Sequence, residues 1–74
     1  MNIVQKLAKI QTKLGDHFNC DCRVTLEDEM IYITIDDTQP FHARFTRKIF
    51  EDYYEGNISE FFDLIVSMYY NSGV

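Results

Sequence analysis

Three stretches of strict apolar–polar alternation constrain this chain more than any other feature. Between Cys20 and Glu27, the residues Cys22, Val24 and Leu26 alternate with Asp21, Arg23, Thr25 and Glu27. Between Met30 and Ile35, the residues Ile31, Ile33 and Ile35 alternate with Met30, Tyr32 and Thr34. From Phe41 to Phe45, Phe41, Ala43 and Phe45 alternate with His42 and Arg44. A period of two marks strands with one buried face. The stretches also agree with one another. If Leu26 lies opposite Ile31, then Val24 meets Ile33 and Cys22 meets Ile35; if Ile35 lies opposite Phe41, then Ala43 meets Ile33 and Phe45 meets Ile31. Asp28-Glu29 and the segment from Asp36 to Pro40 supply the turns. Asp-Glu is not a favoured primed-turn pair, so a longer loop competes with the tight turn there. The expected product is a three-stranded antiparallel meander whose single apolar face needs a cover.

That cover is helical. Ile3, Leu7, Ile10 and Leu14 share one face from Asn2 to Leu14, with Asn2 and Gln5 as a capping box and Gly15 as the stop. Lys6, Lys9 and Lys13 form the wet face, and the segment from Asp16 to Asn19 reads as a loop. Thr46 caps a short helix from Arg47 to Glu55, with Ile49, Phe50, Tyr53 and Tyr54 apolar and Gly56 ending it. Asn57 and Glu60 form a capping box for the last helix, Ile58 to Tyr70, which Asn71-Ser72-Gly73 stops. Ile58, Phe61, Phe62, Ile65 and Tyr69 make its main stripe. Leu64, Val66, Met68 and Tyr70 widen the apolar arc to roughly 240°, against roughly 100° for an ordinary surface helix. The expected fold is α+β in the order α-β-β-β-α-α, one domain over residues 1–74. A domain this small nets only a few kcal/mol, and the 15% aromatic content is what lets its core suffice.

Cys20 and Cys22 are too close in sequence for an unstrained disulfide, so both read as free thiols. The N-terminal segment lacks the apolar run and cleavage site of a leader, and Ile58 to Tyr70 is too short to span ~30 Å of hydrocarbon. The expectation is a cytoplasmic protein, away from membranes.

Catalytic and metal chemistry find little support. His17, Cys20, Cys22 and His42 have metal-ligand chemistry, but Cys-x-Cys is not knuckle spacing. Asp21 lies between the cysteines and opposes thiolate formation. Asp36-Asp37 and Glu51-Asp52 are paired acids of the kind that solvated turns and helix faces carry. No phosphate-cradling loop or nucleophile elbow is present. The expectation is a non-enzymatic binding protein without metal or cofactor.

Charge then carries the reading. Twelve acids against seven bases give −5. Residues 49–74 hold Glu51, Asp52, Glu55, Glu60 and Asp63 and no Lys or Arg. Such a chain repels nucleic acid and attracts a basic protein. In the inferred topology the second helix runs back along the sheet, so Asp16, Asp21, Asp36, Asp37 and Glu55 gather at one pole. On the sheet's outer face, Tyr32, Arg23, His42 and Arg44 offer a rival site for single-stranded nucleic acid. The element order resembles the double-stranded-RNA-binding domain as well, but that family needs a basic helix face and Ile58 to Tyr70 has no Lys or Arg.

In size, acidity and α-β-β-β-α-α order the whole chain resembles the small phage-encoded anti-CRISPR proteins that mimic DNA. The resemblance implies an inhibitor whose carboxylates stand in for phosphates in the DNA-binding cleft of a CRISPR effector nuclease, in the host cytoplasm. The matching acids are Asp28, Glu29, Asp36, Asp37, Glu51, Asp52 and Glu55. The lysines of the first helix hold the net charge at −5, which favours one acidic pole over an all-round mimic. The alternative is a structural or regulatory homodimer in which Leu64, Val66, Met68 and Tyr70 pack against a second copy.

Overall fold

The computed structural model describes residues 1–72. Helix α1 (Ile3–Phe18) is followed by strands β1 (Asp21–Glu27), β2 (Met30–Asp36) and β3 (Phe41–Thr46), a π turn (Ile49–Tyr53) and helix α2 (Ile58–Ser72). The strands form one antiparallel sheet in the order β1-β2-β3. This is the α+β fold, in the order that the alternation predicts.

The register is the one the apolar positions dictate. Cys22, Val24 and Leu26 lie opposite Ile35, Ile33 and Ile31, which in turn face Phe41, Ala43 and Phe45 across β2–β3. The β1–β2 connection is the tight form: Asp28 and Glu29 both take left-handed backbone conformations, φ 49° and 64°. Two consecutive left-handed residues make the primed turn that matches strand twist.

Helix α1 starts with the expected capping box: Gln5 N–H donates to Asn2 Oδ1 at 2.9 Å, and Asn2 N–H to Gln5 Oε1 at 3.1 Å. Its end corrects the sequence reading. The helix does not stop at Gly15 but runs to Phe18, and Asn19 at φ 54° is the left-handed cap. Phe18 continues the stripe four residues beyond Leu14 and packs on Tyr69 with ring centroids 4.4 Å apart. That contact outweighs the ~1 kcal/mol a mid-helix glycine costs.

The second correction concerns the segment predicted as a helix from Arg47 to Glu55. Thr46 Oγ1 does accept from Ile49 N–H at 3.2 Å. The chain then widens, with Tyr54 N–H donating to Ile49 O and Gly56 N–H to Phe50 O. A wide turn does not keep a 3.6-residue stripe on one side. Phe50 is buried and Tyr54 half-buried, while Ile49 and Tyr53 stay 40% and 78% exposed.

Helix α2 is capped by Asn57, whose Oδ1 accepts from Glu60 N–H at 3.0 Å. The reciprocal half of the expected box is replaced: Asn57 N–H donates to Tyr54 O. The helix continues through Asn71 and Ser72, beyond its expected end, and Gly73 lies outside the described residues. The core joins Leu7, Ile10 and Leu14 of α1, Val24, Ile31, Ile33 and Ile35 of the sheet, Phe50, and Phe61 and Ile65 of α2.

Candidate functional site

The sheet has two ends, and directions along it fix where each acid falls. Val24 N–H donates to Gln11 Oε1 at 2.9 Å, so the middle of α1 lies beside the middle of β1. With only two residues between these elements, α1 runs antiparallel to β1. Its start therefore lies at the Asp28-Glu29 turn and its finish at Asp36-Asp37. A seven-residue strand separates the two ends by roughly 20 Å.

The turn end collects Glu27, Asp28, Glu29, Glu51, Asp52 and Glu55. Arg47 joins two of its segments: Nε reaches Glu51 Oε1 at 2.6 Å and Nη1 reaches Glu29 Oε1 at 3.6 Å. The Glu51 hydrogen bond is the main reason the guanidinium holds its proton more tightly than usual. Glu55 sits here too. A methyl group placed on the neighbouring Gly56 would meet Lys6 Nζ at 2.5 Å, and Lys6 lies near the start of α1. This corrects the predicted pole of Asp16, Asp21, Asp36, Asp37 and Glu55. That pole assumed a regular helix running back along the sheet. The short π turn stays at the end where β3 finishes, so Glu55 lies opposite the others. Glu55 is also left-handed, φ 53°.

The far end holds Asp16, Asp21, Asp36 and Asp37. Asp21 and Asp36 are direct cross-strand partners, a like-charge pairing that disfavours the sheet there. Asp37 is occupied: its Oδ2 accepts from Tyr69 O–H at 2.7 Å and its Oδ1 from Thr38 N–H at 2.7 Å. The Tyr69 bond, then the Thr38 amide, hold its carboxyl below the usual range. The seven acids singled out from sequence thus divide between two ends: Asp36 and Asp37 at one, Asp28, Glu29, Glu51, Asp52 and Glu55 at the other. Sequence reasoning missed Arg47 and Tyr69, which organise these ends. Arg47 precedes Glu51 by one helical step, the spacing that signals such a pair.

The wide apolar arc of α2 is largely covered. Phe61 and Ile65 are fully buried, and Leu64 and Val66 are half-buried against the core. Met68 is half-buried, and only Tyr70 of the four proposed edge residues is mainly exposed, at 60%. Its ring lies edge-on to His17, with Oη 3.4 Å from Nε2.

The sheet's outer face brings Arg23, Tyr32, His42 and Arg44 into adjacent positions, with Tyr32 opposite Arg44 and Thr34 between Arg23 and His42. The cysteine sulfurs are 3.9 Å apart. Burial, with Cys20 as hydrogen-bond partner, pushes the Cys22 thiol up to about 12. His17 packs on Phe18 and Phe62, and His42 stands on the outer face beside Thr34. Among the described residues no three His, Cys, Asp or Glu side chains converge as a metal site, and no helix is long and apolar enough to cross a membrane. No family model, curated protein or solved structure matches the chain.

Proposed function

We propose that this chain is a small non-catalytic binding protein that inhibits a basic, nucleic-acid-binding partner by presenting carboxylates where phosphates would bind. The acids of the turn end, Asp28, Glu29, Glu51, Asp52 and Glu55, form the contact surface. One observation carries the reading. Three of these acids, Asp28, Glu29 and Glu55, occupy left-handed backbone positions. Aspartate tolerates this region, but at Glu29 and Glu55 glycine or asparagine would be better by about 1 kcal/mol each. Charge is kept there against backbone preference, and such local conflict marks functional surface. Arg47 orders Glu51 through a 2.6 Å hydrogen bond and lies 3.6 Å from the more exposed Glu29.

The resemblance to DNA-mimicking anti-CRISPR proteins names the partner class, a CRISPR effector nuclease whose Arg and Lys residues grip DNA. The test is competition on guide-loaded effector nucleases. Binding of this protein should be displaced by a duplex bearing the effector's recognition motif. Simultaneous binding of both, or no binding to any effector at low salt, contradicts the proposal.

A further inference from the structure

The sheet has two edges; among the described residues a side chain caps one outward amide on β1 and none on β3. At β1, the outward Val24 N–H is taken by Gln11 Oε1. That bond also fixes the ladder. If Val24 points away from β2, then Arg23 and Thr25 bond to β2, and alternation through the registered strands leaves Phe41, Ala43 and Phe45 bonding to β2 from the other side. The N–H and C=O groups of His42 and Arg44 therefore point outward from β3. Among the described residues, no side chain takes these amides as Gln11 takes Val24.

The chemistry on the two sides of this open edge differs. On the outer face stand His42 and Arg44, with Arg23 and Tyr32 behind them; neither Arg23 nor Arg44 has an ion-pair partner among the described residues. On the inner side, at the start of β3, is a recess of about 300 Å³ whose walls include Pro40, Phe41, Tyr69 and Tyr70. A second copy of β3 is a poor occupant. In the register centred on Arg44, antiparallel self-pairing sets Arg44 against Arg44, and like charges directly opposite destabilise a sheet. A nucleic acid would gain one aromatic platform, Tyr32, and would meet Asp21, Asp36 and Glu27 at the ends of the same face.

We propose that β3 binds an extended acidic peptide segment of a partner protein as a fourth strand. Its main chain pairs with the His42 and Arg44 backbone. Alternate Asp or Glu side chains lie over His42 and Arg44, and an intervening apolar side chain enters the recess beside Phe41, Tyr69 and Tyr70. Strand addition of this kind takes affinity from the backbone and specificity from alternate side chains. The surface is separate from the acidic turn end, and the inference stands without the function proposed above.

The test uses the full chain and a short labelled peptide alternating Glu and Val. Fluorescence anisotropy gives affinity, and amide hydrogen exchange locates the contact. The expected result is saturable binding, protection of the His42 and Arg44 amides, and about tenfold weaker binding for Arg44→Glu. A Lys/Val peptide should not bind. The proposal is overturned if the Glu/Val peptide fails to bind, or binds without protecting those amides. Tighter binding of oligothymidylate to this face, or protection of the same amides by self-association without peptide, overturns it equally.

Discussion

Tyr69 donates its hydroxyl to Asp37 Oδ2 across 2.7 Å, joining the end of α2 to the loop between β2 and β3. The two groups shift each other's ionisation in opposite directions: the Tyr69 bond is the main cause of the lowered Asp37 carboxyl, and the Asp37 bond is the main cause of the raised Tyr69 phenol. One acid that looks like free surface charge in the sequence is thus part of what holds the last helix in place.

The sign of the resulting pH dependence follows from the depressed carboxyl. Asp37 contributes stability above the ordinary carboxylate value of roughly 3.9, and that contribution is lost as pH falls through its lower folded value. Urea unfolding across an acid pH series should show Tyr69→Phe with a shallower loss in this window than the parent. Asp37→Asn should lower stability at neutral pH, and the double variant should be little worse than either single one.

The Asp28-Glu29 turn predicts a gain of stability paired with a loss of function. Asp28→Asn with Glu29→Gly fits the left-handed φ values of 49° and 64° better than the native pair. Breaking the partly exposed Glu29–Arg47 pair at 3.6 Å offsets little of this gain. Denaturant titration should show the variant more stable by about 1 kcal/mol.

Phe61 and Tyr70 should separate sharply. Phe61 is fully buried, and its ring contacts those of Phe45, Phe50 and Tyr54. Phe61→Ala should cost about 3–5 kcal/mol, enough to unfold most of a domain this small. Tyr70→Ala, at a site 60% exposed, should cost less than about 1 kcal/mol. Circular dichroism during thermal melting distinguishes the two.

The Cys22 thiol, raised to about 12, should resist alkylation near pH 8. Because its folded value lies above the unfolded one, it contributes stability below pH 9.0 and loses it as pH rises toward 12. Mass spectrometry after timed iodoacetamide treatment should find Cys22 modified slowly in the folded protein and rapidly in urea. Cys22→Ala should make the alkaline loss of stability shallower.

The sheet was legible because every inward position from Cys22 to Phe45 imposes the same register, so one pairing determines the rest. The end of α1 was not. Gly15 is a natural terminator locally, but Phe18 finds Tyr69 only in the folded chain, and that contact extends the helix. Phe18 at four residues beyond Leu14, followed by Asn19, was the available signal. The place of Glu55 was hidden for a different reason. An apolar stripe reads the same to sequence analysis whether it ends in a regular helix or one wide turn, and only the bonds from Tyr54 and Gly56 to the preceding turn reveal which. The two acidic ends followed from that difference.

The proposed contact sets the acids of the turn end against a basic surface. The most direct measurement is the affinity for a guide-loaded effector nuclease as a function of salt, for the parent and for Asp28→Asn/Glu29→Gly/Asp52→Asn. Parent affinity should fall by about tenfold or more between ~50 and ~300 mM salt, and the variant should bind more weakly with a shallower salt slope. Tight binding that is indifferent to salt, or a variant that binds as the parent does, contradicts it.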